Sequence, residues 1–244
     1  QCVDFGGLGA LASDDFAGAG LRQIYQAIDS PYQSVLMLIL LEIYARQLPH
    51  IDCLAQAYKN RIYRMQLSLD DLDPYVMLYQ KIESYLLAHD QTKRLELIRR
   101  CFYFKVGLKL SQRTHALGWR HKLMDNLVQS WGWSAAALKH LDAVRAWTIE
   151  DMLTERRLLI AELTQSYRAL CQYSPSQPPS DGLSRADRLS LNRKLHAAFD
   201  RRQGKINFIH IGLDVDLSNQ RVHLYERASR EDPGVYQWGV YDRP

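Results

Sequence analysis

From Asp14 to Tyr173 apolar residues recur at three- and four-residue spacing, interrupted only by short polar or proline breaks. That period buries one face of an α-helix and does not fit the strict alternation of a half-buried strand. A chain so patterned must fold as packed helices over two thirds of its length. The fold class expected is therefore mainly α: a multi-helix orthogonal bundle over residues 1–173, followed by a small α+β element.

The punctuation sets the helix borders. Leu21, Ile24, Tyr25 and Ile28 form one stripe, and Ser30-Pro31 ends that helix and opens the next, since proline is tolerated where a first-turn N–H has no intrahelical partner. A weaker helix is expected after Asp52. The clearest runs from Pro74 to Ala88 with Tyr75, Leu78, Tyr79, Ile82, Tyr85 and Leu86 repeating, and Asp73 is its natural N-cap. The next, from about Thr92 to Leu110, is apolar almost all round through Cys101-Phe102-Tyr103-Phe104, which points to a central position.

Leu123, Leu127 and Trp131 stripe a further helix that Gly132 can end in the left-handed conformation. Ser134 caps a short helix. Thr148 with Asp151 resembles a capping box ahead of a long amphipathic helix carrying Met152, Leu159, Leu163, Tyr167 and Leu170.

Residues 174–184, rich in proline, serine and glycine, read as a linker. Beyond it, in residues 185–244, Leu191, Leu195 and Phe199 mark one more helix, and after Gly204 the period becomes alternating. Lys205–Ile211, Arg221–Glu226 and Val235–Tyr241 are expected as a three-stranded antiparallel meander covered by the 185–200 helix.

Hydrophobic residues at 47% and charged residues at 24% match ordinary globular proteins, so composition gives no reason to expect disorder or fibre. The longest apolar run, Val35 to Leu41, stops at Glu42 and is too short to span a bilayer. No signal peptide is visible, and a start at Gln1 rather than methionine reads as an excised fragment. Cys2, Cys53, Cys101 and Cys171 show no C-x-x-C spacing, as suits reduced thiols in a cytoplasmic protein. A net charge of +4 is too small over this length to demand an anionic partner.

Each chemical motif has a plainer reading. Asp71 and Asp73 are spaced to hold Mg²⁺, but Pro74 and the helix after it make Asp73 a cap. Gly6-Gly7-Leu8-Gly9 lacks the Lys-Ser/Thr ending of a phosphate loop. No zinc spacing involves the eight histidines, with His115 and His121 read as polar surface, and no nucleophile motif occurs. Lys93, Arg94, Arg99, Arg100, Lys105, Lys109 and Arg113 are interleaved with aromatic residues as in a nucleic-acid binder, yet at 100° per residue they scatter around the helix. Trp119, Trp131, Trp133 and Trp147 read as core rather than as a ligand platform. No catalytic, cofactor-binding or metal residue is assigned.

An ordered series of short motifs resembles the class I adenylate cyclases of gamma-proteobacteria. It comprises Ile28-Asp29-Ser30-Pro31-Tyr32, Leu72-Asp73-Pro74-Tyr75, Arg99-Arg100-Cys101-Phe102-Tyr103, Leu110-Ser111, Gly118-Trp119-Arg120, Trp131-Gly132-Trp133, Gln165-Ser166-Tyr167-Arg168 and Arg193-Lys194-Leu195. The resemblance covers about 170 residues and fades after Gly204. It implies a cytoplasmic parent that converts ATP to cyclic AMP and pyrophosphate with Mg²⁺, in a family whose catalytic head resembles nucleotidyltransferases. The hallmarks of that head, a Gly-Ser turn and an Asp-x-Asp-Ile-Trp strand, are absent here. Asp71-Leu72-Asp73 matches the family's Leu-Asp-Pro-Tyr segment instead.

The resemblance thus implies a non-catalytic segment following the head, with no cofactor of its own and with the catalytic and regulatory regions of the parent chain as partners. An alternative is a stand-alone binding or scaffolding module, either weakly nucleic-acid binding or a homo-oligomer formed through the stripe of the 149–173 helix. Nucleic acid and membrane are not among the partners expected first.

Overall fold

The computed structural model describes residues 13–48, 50–64, 73–112, 118–173, 222–228 and 236–242. Among them are eight α-helices: α1 (Ser13–Gln26), α2 (Pro31–Arg46), α3 (Leu54–Tyr63), α4 (Pro74–Ala88), α5 (Thr92–Val106), α6 (Trp119–Ser130), α7 (Ala135–Asp142) and α8 (Ile149–Tyr173). A 3₁₀ turn, Val144–Ala146, precedes α8, and two strands follow, β1 (Val222–Ala228) and β2 (Tyr236–Asp242). The chain is mainly helical, as its period requires.

The described residues fall into two compact units, with borders at 105/106 and 157/158. The linker expected at 174–184, the helix at 185–200 and the strand at 205–211 lie outside the described residues.

In the first unit α1 packs on α2, α2 on α4, and α4 on α3. Its most enclosed helix is α2, where Tyr32, Val35, Leu36, Leu38, Ile39, Leu40 and Ile43 are all buried. The 92–110 helix, expected to be central, is the less enclosed of the two. Between its proline and its last turn α2 carries one charge, Glu42, whereas α5 must find partners or water for Lys93, Arg94, Glu96, Arg99 and Arg100. Still, α5 buries Ile98, Cys101, Phe102 and Tyr103. The Phe102 ring lies 5.0 Å from that of Tyr79 on α4, and Phe104 lies 4.7 Å from Tyr32 on α2. The helix ends at Val106 rather than Leu110 because Gly107 takes φ +69°, a conformation that glycine adopts without a Cβ penalty.

The stripe expected on α1 is displaced. Tyr25 and Ile28 are exposed, and the buried face carries Phe16, Gly20 and Ala27. A Cβ on Gly20 would stand 2.7 Å from Leu170 Cδ1 of α8 and 3.5 Å from Leu38 Cδ1 of α2. Small residues let the α1 backbone approach closely, and a pattern weighted by bulky side chains misses that face.

Capping follows the expected chemistry. Asp73 Oδ1 accepts from the N–H groups of Tyr75 at 2.8 Å and Val76 at 3.1 Å. Asp73→Ala should cost about 1 kcal/mol of stability, the usual loss on removing a cap, as measured by urea denaturation. On α4 the buried side chains are Val76, Met77, Leu78, Tyr79, Ile82 and Leu86, while Tyr75 of the expected stripe is exposed in the first turn.

The second unit contains α6, α7, the 3₁₀ turn, the start of α8 and the two strands. Met124, Val128, Trp131, Leu141 and Trp147 are buried in it. Trp131 meets Trp133 edge-on at 4.9 Å, and Trp147 stacks on the His140 ring at 5.4 Å while donating from Nε1 to the His140 carbonyl at 2.8 Å. Trp119 is exposed beneath Arg120, against its expected place in a core, because it opens α6 directly after Gly118. Gly132 takes φ +72° and ends α6 as its position implies. Ser134 Oγ accepts from Ala137 N–H at 3.1 Å, and Thr148 and Asp151 bond reciprocally at 3.0 and 3.2 Å. Strands β1 and β2 pair antiparallel with Val222 opposite Asp242 and Ala228 opposite Tyr236.

Candidate functional site

The densest polar arrangement among the described residues lies within the first unit, around one buried arginine. Arg94 sits in the first turn of α5, with Glu42 of α2 on one side and Glu162 of α8 on the other. Arg94 Nη2 is 2.8 Å from Glu42 Oε2 and 2.6 Å from Glu162 Oε1, and Nε donates to both Glu162 oxygens at 3.0 and 3.1 Å. Nη1 donates to Gln91 Oε1 at 2.6 Å and more weakly to Glu42 Oε1 at 3.5 Å. Ser166 Oγ accepts from Nη2 at 2.9 Å and donates to Glu162 at 3.0 Å. The planar fork of five N–H groups is thereby used in full, which an ammonium could not reproduce.

Both carboxylates are almost completely enclosed, with side chains 1% exposed for Glu42 and 4% for Glu162. Two anions around one cation leave a deficit of positive charge. Arg46, one turn beyond Glu42, brings Nη2 to 3.6 Å from Glu42 Oε1 and lies over the Tyr85 ring. Tyr85 Oη donates to the same carboxylate oxygen at 2.8 Å. The cluster is then neutral and joins three helices that are distant in sequence.

Burial by itself pushes the Glu42 carboxyl up, but the hydrogen bonds and charge of Arg94, helped by Tyr85, outweigh it and hold Glu42 below its ordinary value. Burial and the bond to Glu42 push the Tyr85 phenol up. For Arg94, burial opposes the charge, and the bonds to Glu162 and Glu42 more than restore it. A carboxyl whose folded pKa is depressed contributes stability that is complete above its ordinary 4.5 and is lost as pH falls through the lower folded value. Denaturation midpoints should therefore fall as the pH drops below about 4.5, and Glu42→Gln should flatten that dependence while lowering stability at neutral pH.

The cluster acts as a lock between helices, its carboxylate oxygens occupied by N–H and O–H donors. Beside it runs a groove of about 550 Å³ lined by Glu42, Arg46, Gln91, Arg94 and one face of α8 from Ala161 to Gln172. Among the described residues no group of three His, Cys, Asp or Glu side chains could hold a metal.

The residues weighed in the sequence are placed as follows. Asp73 caps α4, and Asp71 lies outside the described residues, as do Gly6 to Gly9 and His115. His121 is half-buried rather than surface, in the first turn of α6. Three residues of the basic run have side-chain partners within the chain. Arg94 is in the lock, Arg99 pairs with Glu83 at 3.3 Å and Glu96 at 3.6 Å, and Lys105 donates to Gln33 at 2.7 Å. Sequence reasoning missed the lock itself. Its visible signals were a glutamate closing an apolar run at 42, and Glu162 and Ser166 lying on the buried stripe of α8.

Comparison with known proteins decides the family. The model described as "Adenylate cyclase, class-I, second domain" matches residues 11–210. This chain belongs to the class-I adenylate cyclase family. Similar relatives include the adenylate cyclases of Salmonella typhimurium, 36% identical over 247 residues, and Escherichia coli K12, 36% identical over 244, each covering the whole chain. The adenylate cyclase of Yersinia intermedia is 37% identical over 91% of the chain. The chain spans 28% of the length of the first two relatives and 26% of the third, so it corresponds to a part of these cyclases. No solved structure is significantly similar. No described helix of this class-I cyclase region is long and apolar enough to cross a membrane.

Proposed function

We propose that this chain is the non-catalytic helical region of a class I adenylate cyclase, one that packs on the catalytic head or relays regulation to it. The observation that carries this reading is the match of residues 11–210 to the second domain alone, in a chain about a quarter of its relatives' length. The parent protein would convert ATP to cyclic AMP and pyrophosphate with Mg²⁺ in the cytoplasm. ATP and Mg²⁺ would bind in the head, and the partners of this region would be the catalytic and regulatory parts of the same chain. Residues 205–211 would complete the β1–β2 pair as a three-stranded meander, behind a linker at 174–184.

Two features favour a supporting rather than chemical role. The acidic side chains best placed for chemistry, Glu42 and Glu162, are locked on Arg94, and Asp73 caps a helix. Tethering of Arg94, Arg99 and Lys105 within the chain works against a nucleic-acid surface. The test is direct: this chain incubated with Mg·ATP should produce no cyclic AMP, and joining it to the preceding region of its parent should yield an active enzyme. Robust synthesis by the chain alone would overturn the reading.

A further inference from the structure

The groove beside the lock carries an excess of hydrogen-bond donors. Its carboxylate, Glu42, has Oε2 taken by Arg94 and Oε1 by Tyr85, with Arg46 beside it, so the one acidic wall is already neutralised. Arg94 has no N–H to spare. What remains toward the groove is mostly donor. Gln91 gives its Oε1 to Arg94, which leaves its amide NH₂ group without a partner among the described residues. Arg168 is exposed on α8, and its guanidinium likewise has no partner among the described residues.

The geometry of α8 gathers these groups. Gln165, Arg168 and Gln172 follow one another at three- and four-residue spacing, so they lie on one helical face and all line the groove. Counting the lining side chains with Glu162 beneath them, three arginines stand against two glutamates, leaving one positive charge. A guanidinium presents parallel N–H groups matched to the two oxygens of a carboxylate or phosphoryl group. The volume of about 550 Å³ is that of a small-molecule site.

We infer that this groove is a binding site for a small polyanion, held by Arg168, the glutamine amides at 91, 165 and 172, and the cationic edge of Arg46. The shared chemistry is a cluster of anionic oxygens, supplied either by carboxylates or by phosphoryl groups. We rest this assignment on the groove's own residues and not on the parent making cyclic AMP. The same residues that bind the anion lie over the lock between α2, α5 and α8, so a bound anion stabilises the first unit.

Calorimetric titration of the protein with citrate and, separately, with pyrophosphate tests this, each against potassium chloride of equal ionic strength. Saturable binding of citrate alone assigns the site to carboxylates, and of pyrophosphate alone to phosphoryl groups. Binding of both supports the shared chemistry. Arg168→Ala, at an exposed position where folding is not at risk, should weaken binding about tenfold, the loss expected for one charge-assisted contact. Gln172→Ala should weaken it less. Absence of saturable binding of either anion up to about 10 mM, weaker than any useful recognition, overturns the proposal. So does binding that Arg168→Ala leaves unchanged.

Discussion

Replacing Arg94 by alanine should destabilise the first unit by about 3–5 kcal/mol, because the enclosed Glu162 then has no cation and Glu42 keeps only Arg46 at 3.6 Å. Glu42 and Glu162 approach the guanidinium from α2 and α8, with side chains only 1% and 4% exposed. Arg94→Lys should recover little, since an ammonium cannot serve both carboxylates, Gln91 and Ser166 together. Replacing the whole cluster by apolar residues of similar size should restore much of the loss, which separates an unpaired-charge penalty from an intrinsic gain of the ion pairs. The readout is urea denaturation followed by far-UV circular dichroism. Fluorescence reports elsewhere, since all five tryptophans lie at 119, 131, 133, 147 and 238.

Phe102→Ala should cost about 3–5 kcal/mol by the same measurement, through lost burial and the cavity left behind. The ring is 1% exposed and sits against Tyr79, itself fully buried. The surroundings cannot collapse into the gap readily, because Tyr79 and, on the same helix, Ile98 and Cys101 are already packed to zero exposure. Phe102→Leu should cost about 1–2 kcal/mol, since most of the volume is kept. A loss for alanine under about 1 kcal/mol would show that α5 is not part of the cooperative core.

These two sites differ in how they can be read. Phe102 lies in Cys101-Phe102-Tyr103-Phe104, a run whose apolarity by itself marks burial. Arg94 lies in a basic run that reads as solvated charge, and its partners are 52 and 68 residues away. No local rule links a glutamate ending one apolar run to an arginine opening another helix. The clue was the energetic anomaly of Glu42 and Glu162 at positions their helices bury, since a buried carboxylate implies a partner. The family resemblance, carried by short ordered motifs, was equally legible, and the match over residues 11–210 agrees with it. The relatives align over the whole chain and so beyond the Gly204 limit read from the motifs.

The chain's own pattern determined what is local: helical period, the Asp73, Ser134 and Thr148–Asp151 caps, and the glycine stop at 132. Each depends on side chains within four residues of one another, so the spacing alone specifies the bond. The tertiary structure decided which face of each helix is buried and which charges are neutralised. On α1 the buried side is set by the approach of Leu38 and Leu170 to Gly20, a glycine that carries no hydrophobic signal of its own. At the lock, whether Arg94 is a surface charge or a buried tie depends on α2 and α8 arriving together, because desolvation and pairing are properties of the assembled helices.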